Sequence, residues 1–297
     1  MKRSAHRRNG SLIALANGAR LPDRKGAIRI EAPRRLVALA VSGSTAKPLR
    51  VLALGPLRVF VGDDEVEWTA GRSGKSALVL KYLLTREPGH PFASEAVMEA
   101  LWSGQDPARS GQCLRAAVSA LRHNLQPDLP SRMPSAYLRT RGGCLSLSLG
   151  EGGFFDVAEF AQQVQLALEL ERGGRAAEGA KAYRAAIALY RGEFLEEERY
   201  AEWAFPLRDR LQGMYTTALV RLAAFCLGQG DTAQATELAG RAIQTEEALE
   251  PAFLLLIACF RQTGQWGRQS PPIWRPGNGR NGSPCVSHAR HKPFTVS

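Results

Sequence analysis

The segment from Ser94 to Leu125 constrains the fold of this chain more than any other part of its sequence. It predicts two helices joined by a short turn, with Ser94 as the N-cap of the first helix and Asp106-Pro107 as the N-cap and first residue of the second. The apolar stripe of the first helix consists of Val97, Leu101 and Trp102. The second helix has an apolar face at helical spacing, formed by Leu114, Ala117, Val118, Leu121 and Leu125.

Another face of the second predicted helix is polar and basic, and it contains Gln112, Arg115, Ser119 and Arg122. A helix–turn–helix with Arg, Gln and Ser on its second helix is typical of proteins that present these side chains to the DNA major groove. By pattern alone, an ordinary amphipathic helix pair with a solvated charged face is an equally good interpretation. Both interpretations stay open at this level.

Length and composition favour a protein of two domains with well-packed cores. The 297 residues are 44% hydrophobic, and the longest apolar run, Ala252 to Phe260, is far shorter than the ~20 residues of a membrane span. The five cysteines are scattered and form no C-x-x-C pair. Because such cysteines are typical of reduced, mostly buried thiols, we expect a cytoplasmic protein.

The formal net charge of +11 is distributed unevenly along the chain. Residues 1–49 carry +9 and residues 50–150 carry +3, whereas residues 151–267 carry −6 and residues 268–297 carry +5. A basic front half is compatible with a polyanionic partner, and the acidic region makes contact with DNA there unfavourable.

Residues 1–48 are rich in arginine, with dispersed Gly, Asn and Pro, and we predict a disordered basic N-terminal arm. A start codon assigned too far upstream explains the same composition equally well. The apolar run from Leu36 to Val41 is too short and too late in the chain for an export signal.

Residues 49–150 have the pattern of a winged helix preceded by a small antiparallel sheet. LRVLALG, PLRVFVG and EVEWT predict short strands, and a helix is expected from about Ser73 to near Pro88-Gly89, before the helix pair. YLRTRGGCLSLSL then predicts a hairpin that turns through Gly142-Gly143. The tip of this hairpin, with Arg139 and Arg141, is expected to contact DNA phosphates or the minor groove.

Residues 151–267 predict a helical repeat domain. LAAFCLGQGDTAQA from Leu222 aligns with LIACFRQTGQWGRQ from Leu256 at an offset of 34, the period of tetratricopeptide-like helix pairs. An earlier helix pair is expected around Gly173-Gly174. The fold class is therefore mainly α with a small β component.

The pattern breaks in residues 268–297, which contain several prolines and glycines and no acidic residue. Such a segment cannot form the second helix of the next repeat. We predict a disordered tail that is foreign to the fold, for instance the product of a frameshift or a premature end.

The sequence contains no convincing constellation for catalysis, a cofactor or a metal. Gly74-Lys75-Ser76 resembles the end of a phosphate-binding loop, but the first glycine of that motif is replaced by Thr69. The segment is better interpreted as a helix start near DNA phosphate. His288 and His291 have no acidic or cysteine partner nearby. The run Glu196-Glu197-Glu198 is expected to be a solvated loop. We therefore predict no enzyme, no cofactor and no metal site.

Several stretches resemble the OmpR/PhoB-type winged helix of SARP-type transcriptional activators, namely LRVLALGPLRVFVGDDEVEW, KSALVLKYLL, MEALW, LRAAVSALRHNL and YLRTRGGCLSLSL. The segment beginning FFDVAEF resembles the bacterial transcriptional activator domain (BTAD) that follows the winged helix in those proteins. Together the two resemblances cover about residues 49–267.

The resemblance implies a promoter-binding activator that contacts RNA polymerase and binds tandem direct repeats of double-stranded DNA as a dimer. It places the recognition helix at about residues 107–126. The implied DNA-contacting residues of that helix are Arg109, Gln112, Arg115, Ser119 and Arg122, and those of the wing are Arg139 and Arg141. It also implies that the repeat domain stops early, which would expose apolar surface between Ala252 and Phe260.

Our primary hypothesis is a cytoplasmic, sequence-specific DNA-binding regulator. The alternative is an interaction scaffold whose helical repeats bind a protein and whose winged helix does not bind DNA. The acidic charge of the repeat domain favours the scaffold slightly. An enzyme that uses the incomplete phosphate loop is a distant third hypothesis.

Overall fold

The structure is a computed structural model that describes residues 46–68, 72–130 and 133–264. It is mainly helical with two small sheets, which confirms the predicted fold class. The predictions for the basic arm and for the C-terminal tail lie on residues outside this described part.

The first sheet is built around a hairpin of β1 (Leu49–Leu52) and β2 (Arg58–Val61), followed by the short β3 (Asp64–Glu65). Leu49 and Val51 of β1 are buried and Arg50 is exposed, as expected for a strand with one face on the core. Of the predicted strand EVEWT, only Glu65 lies in a strand, and the prediction is wrong for Val66, Glu67 and Trp68. Pairing with β2 ends where the Val66 amide donates to the Val59 carbonyl, so the chain leaves the sheet there.

Three helices follow the first sheet: α1 (Arg72–Leu83), α2 (Ser94–Trp102) and α3 (Pro107–Leu125). The predicted N-cap at Ser94 is wrong, because Ser94 is already the first helical residue and Ala93 precedes it without a side-chain cap. Ala93 belongs to a strand that pairs with the wing, so this pairing sets the start of α2.

The second sheet consists of β4 (Phe92–Ala93), β5 (Leu138–Arg141) and β6 (Cys144–Leu147) in the order β4-β6-β5. The predicted hairpin is confirmed, since β5 pairs with β6 from Leu138 opposite Leu147 to Arg141 opposite Cys144. Three helices and this hairpin form a winged helix with an N-terminal sheet. The strand β4 was not predicted from the sequence.

A strand shared with the helical domain joins the two parts of the chain. This strand, β7 (Phe154–Phe155), pairs in parallel with β1 and completes the first sheet in the order β3-β2-β1-β7. Because β7 leads directly into the next helix, the N-terminal sheet and the helical domain are continuous.

The helical domain contains α4 (Asp156–Arg172), α5 (Ala176–Leu189), α6 (Phe205–Gly228), α7 (Thr232–Thr245) and α8 (Glu250–Gln262). Two short 3₁₀ turns, Glu196–Glu198 and Glu202–Ala204, precede α6. Consecutive helices pack against each other, and a small set of alanines and leucines fills the contacts, as is typical of helical repeats.

Candidate nucleic-acid interface

The helix α3 begins where the sequence predicts it. The side chain of Asp106 accepts a hydrogen bond from the backbone amide of Arg109 at 3.1 Å, and Pro107 occupies the first turn. This cap satisfies one of the amides that a helix N-terminus leaves without an intrahelical partner.

One face of α3 packs into the winged helix. Leu114, Ala117, Leu121 and Leu125 are buried, and Val118 is partly buried, which confirms the predicted apolar face. Polar contacts with α1 add to this packing: the Asn124 side chain donates to the Ser76 hydroxyl at 3.3 Å. The apolar face therefore fixes which side of α3 points to solvent.

The opposite face of α3 is exposed and free of acidic side chains. Four of the candidate residues lie there with exposed side chains, and they are Arg109, Gln112, Arg115 and Ser119. Neither α3 nor the two wing strands contain any aspartate or glutamate. The arrangement is a rod about 10–12 Å wide with a positive outer face.

Arg122 has a different environment from the other candidates. It is partly buried, and its Nη2 donates a hydrogen bond to Thr140 Oγ1 of β5 at 2.9 Å. Its buried Nε has no hydrogen-bond partner among the residues that the structure describes. Arg122 therefore joins α3 to the wing.

The wing places its two candidate arginines on one face of β5. Arg139 and Arg141 are exposed and lie two residues apart, so their side chains leave the strand on the same side. Gly142 and Gly143 connect the strands with φ of 56° and 75°. A two-residue hairpin turn with positive φ at both positions suits glycine and keeps the hairpin tip narrow.

Lys75 on α1 is a further basic residue close to this surface, and it was not among the predicted site residues. It is exposed, and its Nζ lies 3.5 Å from Cys113 Sγ on α3. The sequence signal was the helix start at Gly74-Lys75-Ser76, but only the packing of α1 on α3 shows that Lys75 lies beside α3.

The contacts that attach the helical domain to the winged helix include a buried carboxylate. Asp156 is 1% exposed and accepts hydrogen bonds from the amides of Ala53 (2.8 Å) and Leu54 (3.0 Å) and from Arg191 (3.2 Å). Removal from water raises the pKa of the Asp156 carboxyl above its ordinary value, although these three donors oppose the shift.

The glutamate run was predicted to be a solvated loop. Glu196 and Glu197 are exposed, as expected, but the run forms a 3₁₀ turn and two of its carboxylates pair with a lysine of the winged helix. Lys81 Nζ of α1, only 12% exposed, lies 3.1 Å from Glu197 Oε1 and 2.7 Å from Glu198 Oε1. Glu197 also accepts a hydrogen bond from the Leu57 amide at 3.2 Å. These partners lie more than a hundred residues away, so local sequence does not reveal them.

Among residues 46–68, 72–130 and 133–264, no group of His, Cys, Asp and Glu side chains has an arrangement suited to a metal ion. His288 and His291 lie outside these ranges. In the same part of the chain, no helix is both long and apolar enough to cross a membrane.

Comparison with known proteins finds a family match in the second half of the chain. Residues 155–268 match the family model described as the bacterial transcriptional activator domain. No curated protein matches the chain. Among solved structures, the fold is similar to Mycobacterium tuberculosis EmbR, solved in complex with a low affinity phosphopeptide, with a TM-score of 0.62 and 20% identity.

That similarity covers 74% of this chain and 56% of the EmbR chain, so this chain spans a little over half the length of the solved relative. The domain match and the shared fold confirm the resemblance to SARP-type activators, with a winged helix followed by a BTAD.

Proposed function

We propose that this chain, in which a winged helix precedes a bacterial transcriptional activator domain, binds promoter DNA and regulates transcription in the cytoplasm. In this proposal α3 and the wing contact double-stranded DNA, and the helical domain contacts RNA polymerase. Activation of transcription and dimer formation on tandem DNA repeats are parts of the same proposal.

The observation that supports DNA binding best is the acid-free basic surface of α3 and the wing. A helix of this width fits the major groove, about 12 Å across. Arg109 and Arg115 project from its outer face, and Arg139 and Arg141 project from the adjacent hairpin. An ordinary solvated helix face mixes acids with bases, whereas this surface has a single sign of charge.

The side-chain chemistry suggests a division of roles across the surface. Arg115, Gln112 and Ser119 lie along the middle of α3 and have the donors and acceptors that base edges require. Arg139 and Arg141 lie on the wing, where arginines contact phosphates and set the orientation of the protein on the duplex.

The test is a binding titration of the full chain against a pool of genomic upstream fragments and against a random-sequence duplex. The upstream fragment that the parent chain binds most tightly is the selected fragment. We expect Arg115→Ala to weaken binding to it by ~1–3 kcal/mol, because Arg115 is proposed to read a base. Arg139→Ala should weaken binding to both DNAs and lower the salt slope by about one. The matched control is Arg172→Ala, an exposed arginine at the end of α4.

A different outcome favours the interaction scaffold. If the parent chain binds both DNAs weakly and equally, and if the variants on α3 and on the wing behave like the control variant, the winged helix does not read DNA. The helical domain would then be the functional part, as a protein-binding module.

A further inference from the structure

A cleft lies between the first sheet and the C-terminal end of α3. Its volume is about 850 Å³, which is within the ~300–1,000 Å³ that is typical of small-molecule sites. Residues 64–67 line the cleft from the sheet side, and residues 124–130 line it from the end of α3 and the loop that follows. None of the residues proposed to contact DNA belongs to this lining, so the cleft is separate from the proposed DNA surface.

The cleft has apolar surface on both sides. Val61 and Val66 on the sheet side and Leu129 on the α3 side line it and are partly exposed. Tyr137 also belongs to the lining; it is buried, and its hydroxyl donates a hydrogen bond to the Lys47 carbonyl. A hydrocarbon group held between these side chains is removed from water, which is favourable in proportion to the apolar area covered.

Three charged residues of the lining already have ionic partners. Lys47 is the only basic residue of the lining, and its Nζ lies 2.9 Å from Asp64 Oδ2. Glu65 Oε2 lies 2.7 Å from Arg58 Nη2. Because each pair combines one positive and one negative charge, the two pairs leave little net charge to attract or repel an ionic ligand.

Two carboxylates of the lining have no such partner. Glu67 lies on the sheet side and Asp128 on the α3 side, and both side chains are exposed. Neither forms a hydrogen bond or an ion pair with any residue in the part of the chain that the structure describes. The last turn of α3 also borders the cleft, and the free carbonyls of a helix C-terminus carry about half a negative charge. The electrostatic potential of the cleft therefore favours a cation.

We propose that this cleft binds an aliphatic diamine, with one ammonium group at Glu67, the other at Asp128, and the hydrocarbon stem on Val66 and Leu129. A diamine matches the arrangement because the two carboxylates lie on opposite sides with apolar side chains on both. A monoamine pairs with only one of them, and an anion is repelled by both. This inference goes beyond the proposed function and does not depend on DNA binding.

A ligand-observed NMR titration of the full chain tests the proposal, with cadaverine as the probe. Cadaverine is a linear diamine, and pentylamine and pentanediol are the matched compounds with one ammonium group and with none. We expect saturable binding of cadaverine, about threefold tighter than that of pentylamine, because an exposed ion pair contributes modestly. Pentanediol should show no saturable binding. Equal binding of the three compounds, or no saturable binding of cadaverine, overturns the proposal.

Variants without the two carboxylate charges locate the site. The double variant Glu67→Gln, Asp128→Asn keeps the shape of both side chains and should bind cadaverine about tenfold more weakly, because it removes both ion pairs. The matched control is Glu246→Gln, Glu247→Gln, which removes the same charge from the exposed connection between α7 and α8 and should bind as the parent does. Equal affinities of the two double variants also overturn the proposal. Since these titrations contain no DNA, their outcome is independent of the test of DNA binding.

Discussion

Arg122 on α3 donates a hydrogen bond to Thr140 on the wing, with 2.9 Å between Nη2 and Oγ1. This contact links residues that are 18 positions apart and belong to the two elements proposed to bind DNA. Because the guanidinium is already engaged, Arg122 is better placed to hold the wing against α3 than to read a base.

We predict that Arg122→Met and Thr140→Val each reduce DNA affinity about fivefold, because each removes a hydrogen bond of about 1 kcal/mol and loosens the wing. The double variant should be no weaker than Arg122→Met alone, since both changes break the same contact. Fluorescence anisotropy on the selected upstream fragment measures this. Additive losses would instead mean that Arg122 contacts DNA directly.

The wing turn provides a prediction about backbone strain. Gly142 has φ 56°, and a Cβ added to it would meet no atom within 4 Å beyond its chain neighbours, so a substitution there tests conformation alone. Gly142→Ala should lower the free energy of unfolding by ~1 kcal/mol, because alanine disfavours positive φ. Gly142→Asn should lower the free energy of unfolding much less, since asparagine tolerates positive φ. Thermal unfolding of the two variants is the measurement; equal losses would contradict this explanation.

The ion pairs of Lys81 should stabilise the attachment of the helical domain. Lys81→Met leaves Glu197 and Glu198 without their cation, and we expect a loss of about 1–2 kcal/mol, between the values for surface and buried pairs. Lys181→Met is the control, because Lys181 is exposed on α5 and should change stability by less than ~0.5 kcal/mol. Urea denaturation measures the free energy of unfolding of both variants. Similar losses in the two would show that the ion pairs of Lys81 do not stabilise the fold.

The raised pKa of the Asp156 carboxyl predicts how one contribution to the stability of the fold depends on pH. Its pKa is raised in the folded chain, so the folded state binds this proton more tightly than the unfolded state, whose pKa is ~3.9. The contribution of this group to the free energy of unfolding is therefore fully present below about pH 4 and falls as pH rises through the folded pKa.

Subtracting the stability of Asp156→Asn isolates this component, because other carboxyl groups contribute equally to both proteins. The parent-minus-variant difference in the free energy of unfolding should decrease between about pH 4 and neutral pH. Urea titrations at several pH values measure it. A difference that grows with pH would show that the hydrogen bonds from Ala53 and Leu54 outweigh the cost of burial.

The sequence predicts best those elements that local chemistry determines. Asp106 caps α3 because its own side chain reaches the Arg109 amide, and the glycine pair turns the wing because both residues adopt positive φ. The apolar face of α3 follows from helical spacing alone. The exposed positions of Arg109, Gln112, Arg115 and Ser119 follow from that same spacing.

What the sequence does not predict depends on partners far along the chain. Ser94 has the chemistry of an N-cap, but the pairing of Ala93 with Cys144 on β6 starts the helix one residue earlier than a cap would allow. Glu197 and Glu198 have the composition of a solvated loop, but Lys81 lies opposite them only after folding. The engagement of Arg122 by Thr140 likewise requires the wing to be in place.

The pairing of β7 with β1 has a practical consequence for dissecting this molecule. A fragment that stops at residue 150 would turn β1 into an open sheet edge and would leave the Ala53 and Leu54 amides without the Asp156 carboxylate. Such a fragment is expected to self-associate. Chimeras between related chains should therefore take β1, β7 and Asp156 from the same parent.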